Sequence, residues 1–220
     1  AAKYSSRYVQ QAMPEEFRYI LMELLSDRDL ENRAQYMAGI LDTVIKAGSG
    51  AGLIRAVCML IKRLAVARLH LVGDIYDRGP HADVILESLI NYHSVDIQWG
   101  NHDVMWLGAA AGSPACVACA VRVCIQYDNL DMLENSYGIS LLPLALFASR
   151  TYKDTAEVFA PRKLPGELYM PQDPQLYARM NKAISVIQYK LEGQLVRRRP
   201  EYGMEDRDMM SRVDWRRGTV

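Results

Sequence analysis

The residues in this sequence best suited to chemistry sit in two short polar turns. Positions 71–80 read LVGDIYDRGP, which crowds Asp74, Asp77 and Arg78 together, and positions 99–103 read WGNHD, which adds Asn101 and His102. Each of these types has a use at a phosphate ester. A carboxylate such as Asp74, held at a sheet edge by the glycine before it, can bridge two divalent cations. Two-metal phosphoester hydrolysis holds such ions ~3.5–4 Å apart. The amide oxygen of Asn101 is a hard ligand suited to a cation such as Mn²⁺. His102 can act as a general acid once its tautomer is fixed, and the Asp77 carboxylate could accept the imidazole N–H. Arg78 presents a planar fork that matches two phosphate oxygens. Taken singly, each residue has an ordinary reading: an aspartate after a strand is usually a helix cap, and an isolated histidine usually lies on the surface. The joint pattern G-D-x-x-D-R-G followed by G-N-H-D fixes nine identities in context, and coincidence accounts for it poorly.

The elements around the turns decide whether they can meet. RLHLV (68–72) alternates and runs into Gly73, and VDIQW (95–99) alternates and runs into Gly100. Between them HADVILESLINYH (81–93) repeats Ala82, Ile85, Leu86, Leu89 and Ile90, the stripe of an amphipathic helix. This order is a βαβ unit, whose helical crossover makes the strands parallel and puts both turns at the same carboxyl edge. Open α/β sheets build their sites there. Gly79 and Pro80 turn the chain sharply, and the helix that follows would aim its N-terminus toward a bound anion. Leu69 and Leu71 oppose Arg68 and His70, while Val95, Ile97 and Trp99 oppose Asp96 and Gln98. One face of the sheet is therefore more polar than strands covered on both sides would be.

The rest of the chain reads as helix. Apolar residues recur at helical spacing over about 14–47 and 51–66, around the break Gly48-Ser49-Gly50. A late helix is marked by Asp173 as N-cap and Pro174 at its first position. Its apolar stripe is Leu176, Met180, Ile184, Ile187, Leu191 and Leu195. The expected organisation is a helical segment over 1–66, a βαβ core over 67–112 and a helical region of the same domain over 113–220. Cys116, Cys119 and Cys124 fall in PACVACAVRVCIQY, which reads as a buried helix, and with Cys58 they are expected to be reduced core thiols in a cytoplasmic protein. A formal net charge of zero gives no electrostatic case for a nucleic-acid or anionic-membrane partner. No apolar run approaches the ~18 residues of a membrane span.

The two motifs resemble those of the calcineurin-like metallophosphoesterases. Three longer stretches, LINYHSVDIQWGNHDVMWLGAAAGS, QYDNLDMLENSYGISLLPL and AISVIQYKLEGQLVRRRPEYGMEDR, are similar to the class III fructose-1,6-bisphosphatases of bacteria. That resemblance implies Mn²⁺-dependent release of the 1-phosphate from fructose 1,6-bisphosphate, in gluconeogenesis. By motif match, Asp74 would bridge the metals and Asn101 would ligate one of them. His102, oriented by Asp77, would protonate the leaving alcohol, and Arg78 would hold the phosphate. GNHD, rather than the GNHE of the protein phosphatases, suits a sugar phosphatase; no role follows from this for Asp103. The implied fold class is α/β: the βαβ core of a metallophosphoesterase β-sandwich with flanking helices, helix-rich and incomplete in this chain.

The family's site also needs an Asp-x-His turn before the first motif and further histidines after the second. The four histidines here are His70, His81, His93 and His102, none in an Asp-x-His and none beyond 102. Asp74 and Asn101 alone leave each cation short of ligands. The chain is therefore expected to be the central piece of a longer enzyme, with exposed apolar surface and self-association when isolated. The alternatives are a phosphoprotein phosphatase of the same superfamily and a non-catalytic binding or regulatory protein that keeps the fold.

Overall fold

Two separate hydrophobic clusters organise the computed structural model, which describes residues 6–26, 32–162, 173–214 and 216–217. They belong to two compact units: Ala1–His70 with His93–Asp96, and Leu71–Tyr92 with Ile97–Val220.

In the first unit, α1 (Ser6–Ala12), α2 (Arg18–Leu25), α3 (Arg33–Lys46) and α4 (Gly50–Ala65) bury one side each. Both α1 and α3 pack on α4. Phe17, Leu21, Val44, Leu53 and Leu60 form the core between them. Helix α3 ends where Gly48 takes φ 69, and α4 leaves at 118° to it. No single helix among the described residues is long and apolar enough to cross a membrane. The helical pattern expected over about 14–47 is divided. A short 3₁₀ turn at Glu15–Phe17 precedes α2, which stops at Ser26 in an extended conformation. Residues 27–31 of that pattern lie outside the described residues. SDRDLEN (26–32) is rich in side chains that compete for backbone hydrogen bonds and carries one apolar residue, so the stripe lapses there.

Strands β1 (Leu69–Leu71) and β2 (Val95–Ile97) form a two-stranded parallel sheet. Leu69 N–H donates to Ser94 O at 3.0 Å and Gln98 N–H to Leu71 O at 2.9 Å. Both strands are shorter than the alternation predicts, because regular pairing gives way before the two glycine turns. His70 and Asp96 occupy the polar face and meet at 2.9 Å. Helix α5 (Ala82–Ile90) crosses between the strands. It starts two residues later than the Gly79-Pro80 signal suggests, since His81 sits in the left-handed region at φ 63 and cannot be part of it.

The second unit is built from α6 (Asn101–Ala110), α7 (Pro114–Gln126), α8 (Leu142–Thr151) and α9 (Pro174–Arg198). Helix α9 packs on α7 and α8, and α6 on α7. The cap of α9 forms as expected: Leu176 N–H donates to Asp173 Oδ1 at 2.9 Å. Met180 and Ile184 of its stripe are buried, and Leu176, Ile187 and Leu191 pack against the same core. The cysteines need a correction. Only Cys124 is a core thiol; Cys58, on α4, is exposed, and Cys116 and Cys119 are half-buried on α7. Burial pushes the Cys124 thiol up to about 12. A thiol-selective reagent at neutral pH is expected to label Cys58 first and to reach Cys124 only on unfolding, as mass spectrometry of timed digests would read. Early labelling of Cys124 would contradict this packing.

Candidate active site at the paired turns

The two turns meet backbone to backbone. Gly73, at φ 95, has no room for a side chain: a Cβ there would lie 2.4 Å from Gly100 N and 2.7 Å from Gln98 O. A Cβ on Gly100 would lie 2.0 Å from Asp74 Oδ1. This close approach is what lets residues from separate strand ends share one site.

Asp74 follows directly, in the left-handed region at φ 57. That conformation costs a non-glycine residue roughly 1–2 kcal/mol, and hydrogen bonds at both ends of the residue hold it. Its N–H donates to Asp103 Oδ2 at 2.6 Å, and its Oδ1 accepts from the His102 N–H at 3.2 Å. Ile75 and Tyr76 then turn inward and pack on the core, which leaves Asp77 and Arg78 outward. Tyr76 stacks on Trp106 with ring centroids 4.6 Å apart, and its hydroxyl meets the Tyr137 hydroxyl at 2.7 Å. Burial, and then that hydrogen bond, hold the Tyr76 phenol above its usual range, so it is an anchor rather than a proton carrier.

Asn101 and His102 occupy the first turn of α6. His102 Nε2 lies 2.8 Å from Asp77 Oδ1, with the imidazole 17% exposed. The same carboxylate oxygen accepts from Arg78 Nε at 3.1 Å. His102 Nδ1 is buried and has no partner among the described residues. The Asp77 carboxylate at Nε2 fixes how the ring is oriented. The Arg78 guanidinium lies 5.7 Å from the Tyr127 ring centroid, and with Nε engaged its two Nη groups remain for an anion.

The structure thus places Asp74, Asp77, Arg78, Asn101 and His102 on two adjoining turns. Sequence reasoning left out three residues that hold them. Asp103 accepts backbone N–H groups from both turns. Asn129 donates from Nδ2 to the carbonyls of Arg78, at 2.8 Å, and Gly79, at 3.3 Å. Tyr127 lies beneath Arg78. Asp103 stands three residues after the N-cap Gly100, a spacing that could have flagged it as a capping acid. Asn129 has no local signal, because its partners lie 50 and 51 residues away.

As a metal centre the cluster is partial. Asp74 and Asn101 offer oxygen donors of the right hardness, but no group of three or more His, Cys, Asp or Glu side chains suited to a metal ion occurs among the described residues. A hard divalent cation takes about six ligands. These residues fit as part of a site and not as the whole.

A cluster that can hold an anion and move a proton, at the carboxyl ends of two parallel strands, defines the class of site. Comparison with known proteins is narrower. Residues 1–220 match the family described as Firmicute fructose-1,6-bisphosphatase, and the chain belongs to that family. It is 47% identical to "Fructose-1,6-bisphosphatase class 3" of Alkaliphilus metalliredigens, over all of this chain and 33% of that protein. It is likewise 45% identical to the protein of that name from Clostridium tetani, over all of this chain and 33% of the relative. For Listeria monocytogenes serovar 1/2a the figures are 47%, all of this chain and 34%. The chain spans about a third of the length of these curated relatives. No solved structure gives a significant match.

Proposed function

We propose that this chain carries the central part of the active site of a fructose-1,6-bisphosphatase. That enzyme would hydrolyse fructose 1,6-bisphosphate to fructose 6-phosphate and phosphate in gluconeogenesis, in the cytoplasm. The observation that carries the reading is the Asp77–His102 pair, joined across two turns whose glycines touch, in a chain that matches that family throughout. In this reading Arg78 holds two oxygens of the transferred phosphoryl group. Water supplies the oxygen that bonds phosphorus, the ester P–O bond breaks, and His102 gives a proton to the departing sugar oxygen. Asp77 keeps the imidazole in the orientation that reaction needs. Asp74 and Asn101 would be oxygen ligands of bound Mn²⁺, with the remaining ligands from outside this chain; such ions would lower the pKa of water and neutralise phosphate charge. The two-stranded sheet would be part of a calcineurin-like sandwich, which a structure of the longer protein would test.

A substrate panel on the longer protein separates the possibilities. Hydrolysis of the sugar bisphosphate with phosphopeptides untouched supports the proposal, whereas the reverse preference makes it a protein phosphatase. The isolated 220 residues are expected to turn over fructose 1,6-bisphosphate poorly or not at all, even with added Mn²⁺, and to self-associate through apolar surface such as Val72 and Trp99. Turnover abolished by Asp74→Asn, at a rate typical of an intact enzyme, would show that this chain suffices.

A further inference from the structure

We propose that Asp103 is a positioning residue, one that ties the two turns into a single rigid piece and so fixes the Asp74 carboxylate. The inference deepens the phosphatase reading of this site and rests on it. Asp103 is 7% exposed, so it does not reach a substrate. It forms no ion pair among the described residues; its partners are backbone N–H groups. Oδ2 accepts from Asp74 N–H at 2.6 Å and from Gly100 N–H at 3.0 Å, and Oδ1 accepts from Tyr76 N–H at 3.2 Å.

A capping role alone would need only the bond to Gly100, at the start of its own helix. The shortest of the three bonds instead crosses to the other turn, and a second joins it there. Both grip the residues flanking Ile75, so the carboxylate spans the segment that turns Asp74 outward and Tyr76 inward. Without that grip nothing holds the Asp74 N–H, and a residue at φ 57 relaxes toward ordinary backbone space. Its carboxylate would then leave the His102 N–H. The side-chain type also matters. An amide at this position keeps one acceptor oxygen but turns an NH₂ group toward an N–H donor. A glutamate keeps the charge and both acceptor oxygens but sets them one methylene further from the backbone.

The test uses the longer protein with Asp103→Asn, Asp103→Glu and, as a destabilised control, Leu21→Ala, which removes a buried side chain from the other hydrophobic cluster. Amide hydrogen exchange over residues 74–76 is read first, then Mn²⁺ binding to metal-stripped protein by electron paramagnetic resonance, then kcat and KM. With Asp103→Asn, exchange over 74–76 is expected to speed at least about tenfold. Mn²⁺ binding weakens by about 10–100-fold and kcat falls comparably with KM little changed. Leu21→Ala lowers the melting temperature but leaves all three readouts within about twofold, as independent sites do. Should Asp103→Asn fail to fold, Asp103→Glu carries the same measurements with the charge retained. Exchange and Mn²⁺ binding indistinguishable from the control overturn the proposal. A wild-type protein that neither binds Mn²⁺ nor cleaves the sugar bisphosphate overturns the phosphatase reading instead, and exchange at 74–76 still decides whether Asp103 ties the turns.

Discussion

His102→Ala in the longer protein is expected to lower kcat by about 10²–10⁴-fold, the usual contribution of a positioned general acid, with KM changed little. The Nε2 atom of His102 faces Asp77 at 2.8 Å, and Nδ1 is buried without a partner among the described residues. A buried polar atom without a partner costs free energy, and catalytic groups are one place where that cost is found. Asp77→Asn should reproduce part of the loss: it keeps the shape but can turn a donor toward the imidazole, and it also releases Arg78 Nε. Steady-state kinetics on both variants checks the assignment. His102→Ala activity within tenfold of wild type would remove the imidazole from the chemistry.

Gly73→Ala and Gly100→Ala are expected to abolish activity and to destabilise the longer protein by about 3 kcal/mol or more, combining overpacking with backbone strain. The obstacle in each case includes backbone, which cannot swing aside as a long side chain would. An added methyl at 73 meets Gly100 N and Gln98 O, and one at 100 meets Asp74 N at 2.7 Å besides its carboxylate. The strand ends must part, and Asp74 and His102 part with them. Gly79→Ala supplies the contrast, since nothing lies within 4 Å of a Cβ there; it should stay within about 0.5 kcal/mol of wild type. Denaturant melts and a phosphate-release assay read both effects. Equal stability of all three variants would mean that the turns do not touch as described.

The two glycines show why so much of the site was legible beforehand. Each ends an alternating run, and a helical stripe lies between, so parallel strands and a shared edge follow from chain topology. The apolar stripe of α9 and its Asp173 cap were legible for a similar reason: periodicity and capping are local, and the packing agreed with them. Local signals overran at the edges. His81 has a left-handed backbone that no stripe reveals, and the pattern over 14–47 ran on past Leu25, where α2 ends. The cysteines were misjudged because an apolar helix buries fully only the positions its neighbours cover, and for α7 those neighbours are α6 and α9, the latter far along the chain.

By itself, then, the sequence determined which chemical groups the site contains and that they come from the same sheet edge, because strand order and turn residues are encoded within some thirty positions. Only the tertiary structure decided how those groups are held: Asp103 under both turns, Asn129 beneath the Arg78 and Gly79 carbonyls, Tyr127 against the guanidinium. Those partners are 29 and 51 residues apart in the clearest cases. A hydrogen bond between groups so distant depends on where packed helices bring them, and no local periodicity records that.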